Sequence, residues 1–353
     1  MNPAKKIPVA ILGATGTVGQ RMIQMLQGHP WFEIAVLTGS DRTVGKPYGD
    51  LVNWKLDDAP PAEVAKMIVQ PSDAPLEVGI ALSALPTDAA REFEPRWASQ
   101  VAVCSNASSY RMTPDVPLLI PEVNPEHVDM IEQQRAARGW KGCLVTNPNC
   151  STIGIVMALK PLHDAFGLKQ AQIATLQAVS GAGYPGVASL DILDNIVPNI
   201  ADGGEEAKIE TEPLKLLGRS QGSHVELLAA GMSAQVTRVP VVDGHTALLS
   251  LGFERRPDIA DAITALESFR APEIVQGLPS APVRPVIVRY EGDRPQPRRD
   301  RDAGQGMSVS VGRVRSCNLL DLRMVVLSHN TIRGAAGGAL LNAELLVAAG
   351  VVS

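Results

Sequence analysis

The sequence predicts an α/β chain in two parts: a doubly wound parallel sheet first, then a mixed-sheet α+β region. Three observations carry this. A short apolar run at residues 7–12 meets a glycine-rich turn and then apolar residues at helical spacing. Apolar segments at 32–38, 78–85, 101–105 and 143–146 follow, separated by helix-length stretches, which is the rhythm of strands joined by crossover helices. After residue 150 the alternation gives way to a helix candidate at 151–166 and strand-like runs at 171–179, 234–241, 246–253, 286–290, 307–315 and 320–328.

Taken in order, Ile7 to Leu12 is the first strand, ending in Gly13, and residues 20–27 carry Met22, Ile23, Met25 and Leu26 as the first helix. The polar, proline-containing stretch 291–306 predicts a loop, either a solvated connection or a functional one. The apolar tail, 334–351, is interrupted by Asn342 and Glu344 and is rich in Gly and Ala, so it makes a poor membrane span. No repeat of fixed period is present.

With 353 residues, 45% hydrophobic and 20% charged, the chain is long enough for two domains. Lys plus Arg number 32 against 37 Asp plus Glu, a net charge of -5 without the basic excess that nucleic acid or anionic lipid attracts, so neither is expected as a partner. Met1 to Lys6 is basic but leads into only a short apolar run with no small-residue cleavage site, so no signal peptide is expected and the setting expected is the cytoplasm. Cys104, Cys143, Cys150 and Cys317 form no C-x-x-C pair, and the six histidines show no ligand spacing; neither a disulfide framework nor a metal site is expected.

Gly13-Ala14-Thr15-Gly16-Thr17-Val18-Gly19 lies between the first strand and the first helix. Small residues there let the backbone turn tightly and aim helix N-terminal N–H groups at a pyrophosphate. The pattern G-x-x-G-x-x-G differs from the usual G-x-G-x-x-G, but its strand-before, helix-after context predicts dinucleotide binding, with Gly13, Thr15, Gly16, Thr17 and Val18 as contacts. The second strand ends at Leu37-Thr38-Gly39-Ser40 with no acid to hold a ribose 2′-hydroxyl. Ser40 and Arg42 suit a 2′-phosphate, which favours NADP; Asp41, just beyond the strand, is the feature that would suit NAD.

The sharpest feature is Asn147-Pro148-Asn149-Cys150-Ser151-Thr152, between a strand and the 151–166 helix. A thiol at a helix N-terminus is expected to be stabilised as thiolate by the helix dipole, which makes Cys150 a candidate nucleophile. Its candidate base is His245, in an Asp243-Gly244-His245 turn that opens onto a strand. Arg238 lies seven residues earlier on an apolar strand, where a cation needs an anionic partner such as a substrate carboxylate.

These motifs, together with Ser105-Asn106-Ala107-Ser108-Ser109-Tyr110-Arg111, Gln177-Ala178-Val179-Ser180-Gly181-Ala182-Gly183, Glu205-Glu206-Ala207-Lys208 and Asn330 to Gly338, resemble the aspartate-β-semialdehyde dehydrogenase family in its archaeal and fungal-type branch. The Asp-Gly-His-Thr context of His245 is what separates this chain from the bacterial branch. The resemblance covers nearly the whole chain. It implies a glyceraldehyde-3-phosphate dehydrogenase-like fold: a Rossmann-like dinucleotide-binding domain at 1–149, joined by a returning C-terminal helix within 330–353, and a catalytic and dimerisation domain at 150–329. It implies Cys150 as acyl-enzyme nucleophile, His245 as general acid/base, and Asn149 and Gln177 as residues orienting the substrate. Arg238 would bind the α-carboxylate and Glu205 the α-ammonium, with Arg111 and Lys208 binding phosphate; an exposed charged helix face is the other reading of Glu205 and Lys208. Ser83, Ser180, Gly181 and Asn330 join the cofactor contacts. The implied reaction is NADP-dependent reductive dephosphorylation of L-aspartyl-4-phosphate to the semialdehyde, in lysine, threonine and methionine biosynthesis. The partners are a small-molecule substrate, phosphate and further copies of the chain, as homodimer or homotetramer. A malonyl-CoA reductase and a catalytically silent NADP-binding protein remain the alternatives.

Overall fold

The computed structural model describes Pro3, residues 5–73 and residues 77–352. Ile7–Leu12 forms β1, almost wholly buried because it has a parallel neighbour on each side. Those neighbours are β2 (Phe32–Gly39) and β4 (Ile80–Ser83). With β3 (Gln70–Pro71), β5 (Ala102–Ser105) and β6 (Cys143–Thr146), they complete a parallel sheet in the order β3-β2-β1-β4-β5-β6. The chain order reverses between β1 and β4, and the crevice at that switch point is where such sheets take ligands. Gly13 turns the chain there at φ 76°; a Cβ on it would stand 2.9 Å from the Ala84 carbonyl oxygen. The first helix runs Thr17–Met25, beginning three residues before its expected start.

The second sheet contains β7 (Leu168–Gln177), β8 (Val197–Pro198), β11 (Gly231–Arg238), β12 (His245–Phe253), β13 (Val286–Arg289), β14 (Val309–Ser316) and β15 (Leu322–Ser328). Between β8 and β11, β9 (Arg219–Ser220) and β10 (Val225–Glu226) pair as a separate ribbon. The larger sheet has the order β13-β14-β15-β12-β7-β11-β8 and is mixed, as expected. The strand expected at 234–241 lies three residues earlier, because Pro240, having no N–H, cannot extend it.

Register positions the chemistry. β7 and β11 run parallel with Gln177 opposite Arg238, and β12 runs antiparallel to β7 with Thr246 opposite Leu176. Gln177, Arg238 and His245 therefore emerge at one end of three neighbouring strands. The helix Cys150–Phe166 crosses one face, burying Ile153, Val156 and Leu159 in the same core as Ile173, Leu249 and Val326. On the opposite face Leu248 is exposed, and Arg313, Arg315 and Arg323 line a shallow hollow.

The stretch 291–306 is not simply a solvated connection. It folds around Asp300, which is 1% exposed and is bound by Arg294 and Arg289, and Arg301 donates to the Asp243 carbonyl beside the His245 turn. The C-terminal segment enters through a π-helical turn, Ile332–Ala336, and continues as the helix Gly337–Ala348. That helix shares a core with Ile11, Leu82 and Cys104 of the first sheet, so the chain ends where it began. Among the described residues no helix is long and apolar enough to cross a membrane.

Candidate active site

Cys150 is the first residue of its helix, and Asn149 is the cap. The Asn149 Oδ1 accepts from Ser151 N at 2.9 Å and Thr152 N at 3.2 Å, which satisfies two of the otherwise unpaired amides of the first turn. Those amides are consumed by the cap and do not reach the thiol. Burial pushes Cys150 up to about 12, Glu205 adds to the rise, and Arg111, Arg238 and Lys208 oppose it. Burial and the cap therefore work against the dipole-stabilised thiolate expected from the sequence in the ligand-free site.

The Cys150 Sγ lies 3.3 Å from His245 Nε2. The other ring nitrogen, Nδ1, accepts from the Ala178 N–H at 3.0 Å, which puts the proton of the neutral ring on Nε2. An imidazolium would set Nδ1–H against that amide. Burial, then the Arg238 and His329 charges, pushes His245 down to about 3, in the same direction. In this ligand-free arrangement the ring donates toward sulfur. Gly181 roofs the pair, since a Cβ on it would stand 2.8 Å from Arg238 Nη1 and 2.9 Å from His245 Nε2.

Arg238 is buried beside them and donates to the Ala178 carbonyl at 2.9 Å and Gln177 Oε1 at 3.4 Å. Among the described residues no carboxylate forms an ion pair with it. Glu205 is also buried: Oε1 accepts from Asn149 Nδ2 at 2.8 Å, and Lys208 Nζ reaches Oε2 at 3.3 Å. The reading of these two as an exposed helix face fails for Glu205 and holds only for the half-open Lys208. Arg111 converges on the same place, but it already has a partner. Its Nη1 meets Glu212 Oε1 at 3.0 Å, and its Nη2 donates to the Asn106 carbonyl at 2.6 Å.

Sequence reasoning missed Glu212. Its second oxygen accepts from Asn149 N at 2.7 Å. Lys215, also missed, gives all three ammonium hydrogens to the carbonyls of Arg111, Thr113 and Val116, each at 2.8 Å. Glu205, Lys208, Glu212 and Lys215 repeat at spacings of three and four along the helix Gly204–Leu216, and that periodicity was the available signal.

A cleft of about 500 Å³ at the switch point is lined by Gly13, Thr15, Gly16, Gly39, Ser40 and Asp41 among others. Small residues and the bare Gly13 backbone leave it open, which suits a dinucleotide phosphate. Thr17 and Val18 open the adjoining helix. Arg42 is exposed next to Ser40, and among the described residues its guanidinium has no partner. Ser83 does not line the cleft: it is fully buried, and its hydroxyl faces Leu85 N. Asn330 is likewise committed, accepting from Gly244 N at 2.8 Å and donating to Ser180 Oγ at 2.8 Å, which fixes the turn before His245.

Comparison with known proteins agrees with this layout. Residues 8–131 match the semialdehyde dehydrogenase NAD-binding domain, and residues 159–333 match the semialdehyde dehydrogenase dimerisation domain. The aspartate-semialdehyde dehydrogenase of Methanothermobacter thermautotrophicus is 53% identical over 344 residues, spanning 96% of this chain and 99% of its own. That of Schizosaccharomyces pombe is 46% identical over 98% of this chain and 99% of its own. A crystal structure of aspartate-semialdehyde dehydrogenase with NADP from Candida albicans superposes with a TM-score of 0.90 at 43% identity, covering 98% of this chain and 99% of the other. On these grounds the chain belongs to the semialdehyde dehydrogenase family and, within it, to the aspartate-semialdehyde dehydrogenases of the archaeal and fungal type.

Proposed function

We propose that the chain interconverts L-aspartyl-4-phosphate and L-aspartate-4-semialdehyde, with NADP, through a thioester on Cys150. The observation that carries the reading is the convergence on one thiol of a donor nitrogen, His245 Nε2 at 3.3 Å, and the cations of Arg238, Arg111 and Lys208. An aldehyde that also carries a carboxylate and an ammonium finds matching charges here in Arg238 and Glu205.

Run from the semialdehyde, Cys150 Sγ bonds to the aldehyde carbon, and the net addition carries the thiol proton to the aldehyde oxygen. His245 Nε2–H donates to that oxygen as negative charge develops on it. NADP, when bound, would supply the acceptor for the adduct's hydride, and the proton of the adduct's hydroxyl would leave past His245 to solvent as the thioester forms. Arg111 and Lys208 then steer phosphate onto the thioester carbon, and sulfur leaves as the acyl phosphate forms. Gln177, buried against Arg238 through its side-chain oxygen, orients that guanidinium toward the substrate. Asn149 holds the first turn in which the nucleophile sits. Gly13, Thr15, Gly16, Thr17, Val18 and Ser40 would hold the cofactor, with Arg42 on its 2′-phosphate and Ser180 and Gly181 near its reactive end.

The proposed division is a cofactor domain of residues 1–149 and 330–353 and a catalytic domain of 150–329, working in the cytoplasm. The open sheet face with Leu248 and the arginines would join two copies as a homodimer, or four as a homotetramer. The test is an assay with aspartate semialdehyde, phosphate and NADP, run beside malonyl-CoA with NADPH. Turnover in the first assay is expected, and turnover only in the second would overturn the reading.

A further inference from the structure

We propose that Glu212 is a positioning residue that ties the anion-binding guanidinium of Arg111 to the loop carrying the nucleophile. The proposal rests on the reading of Arg111 as a phosphate ligand. Glu212 is 1% exposed and sits between two donors, with Oε1 3.0 Å from Arg111 Nη1 and Oε2 2.7 Å from Asn149 N. Asn149 is the residue before Cys150, so one carboxylate connects the anion site to the backbone of the reactive turn. The grip is doubled from the same helix. Glu205, two turns earlier, holds Asn149 Nδ2, and Lys215, three residues later, holds the carbonyls of Arg111, Thr113 and Val116. Arg111 Nε is buried without a partner, a donor left over once Glu212 and the Asn106 carbonyl have taken the two terminal nitrogens.

The chemistry at this position requires a carboxylate. Two donors face it, and only a group with two acceptor arms satisfies both. A glutamine has the same shape but carries an NH₂ on one arm, which would meet either Arg111 or the Asn149 amide donor to donor. A buried donor left unmet in this way is costly. An aspartate keeps both acceptors on a shorter stem. Shape and charge therefore make opposite predictions for the two replacements.

The experiment compares Glu212→Gln and Glu212→Asp in the full-length enzyme. It measures KM for phosphate, KM for semialdehyde, kcat, and the rate at which iodoacetamide alkylates Cys150 with no substrate present. The Gln variant is expected to raise the phosphate KM roughly ten- to hundredfold while moving the semialdehyde KM less. It is also expected to slow alkylation, because a loosened loop drops Sγ from the Nε2–H donor. Asp should recover part of both. A Gln variant equal to wild type, or better than Asp in both readouts, would make Glu212 a space-filler and overturn the proposal. Where Gln does not fold, Asp against wild type carries the comparison: phosphate KM raised alone supports the tie, and equal change in both KM values sinks it. Alkylation needs no substrate, so a wild type silent with phosphate would remove the reaction assigned above while the tie still stands or falls on the alkylation rates.

Discussion

A Cβ placed on Gly334 would lie 2.8 Å from the Cβ of Cys150 and 3.0 Å from its Cα. The returning C-terminal segment thus presses its backbone directly on the nucleophile. The rest of the Gly-Ala-Ala-Gly-Gly run is packed as closely: a Cβ on Gly337 would meet Met307, and one on Gly338 would meet the Asn147 side chain. Arg333, one residue before, is fully buried in a bidentate pair with Glu122 and sets the depth of that turn.

Gly334→Ala is accordingly expected to lower kcat with little change in NADP affinity. The added methyl has backbone and Cys150 itself to displace, so overpacking should cost about 1–3 kcal/mol of stability. Thermal unfolding, cofactor titration and turnover on one preparation check this. An alanine variant with wild-type kcat would show that the turn yields without moving the thiol.

Cys150→Ala should abolish turnover and leave cofactor binding intact, whereas Cys104→Ala and Cys317→Ala should keep most activity. Mass spectrometry of the acylated enzyme is the direct check, and an adduct on any other residue would refute the assignment.

The thiol's ionisation gives a separate expectation. With Cys150 pushed up to about 12 and His245 down to about 3, the ligand-free site holds a neutral pair at neutral pH. The thiolate fraction then grows with pH, and alkylation of Cys150 should accelerate about tenfold per pH unit between roughly pH 6 and 9. A rate that levels off near neutrality would mean a thiolate–imidazolium pair, and the Ala178 N–H contact would have to break to allow it.

Much of this was legible in the sequence, and the reasons differ by element. The first sheet was read nearly strand for strand because buried parallel strands are plain apolar runs between turns. Cys150 and His245 were readable because each follows a turn that sets it at the start of an element. Glu212 and Lys215 were not read, because helical spacing marks a shared face without showing that it is buried, and their partner Arg111 lies about a hundred positions away in the chain. The thiolate expectation meets a local obstacle: burial and the neighbouring Glu205 push the thiol up against the pull of Arg111, Arg238 and Lys208, and the Asn149 cap already occupies two first-turn amides.

Preference for NADP over NAD is expected from Ser40 and from Arg42, without a partner among the described residues, just beyond the end of β2, where no acid stands on the strand itself. kcat/KM with each cofactor, on wild type and Arg42→Ala, measures it. Wild-type preference for NAD would point to Asp41, which lines the same cleft, as the residue that reads the ribose.

The last expectation separates the cations. Arg111 is neutralised by Glu212 and Lys208 by Glu205, whereas buried Arg238 donates to the neutral oxygens of Gln177 and Ala178 and, among the described residues, forms no ion pair, Glu205 reaching it only through its field. A buried guanidinium without a counter-ion is costly until an anion arrives, so Arg238 has the most to gain from a substrate carboxylate. Losing a charge-assisted hydrogen bond of roughly 1.5–3 kcal/mol weakens binding about ten- to hundredfold. Arg238→Ala should therefore raise the KM for semialdehyde by that order and leave the KM for phosphate nearly unchanged. Arg111→Ala and Lys208→Ala should show the reverse bias, the lysine less strongly because its ammonium is half-exposed and screened. Initial rates over a grid of both substrates resolve the two constants for each variant. If all three variants moved both constants equally, the pocket would be a general basic field, and the separate roles of the carboxylate and phosphate cations would have to be withdrawn.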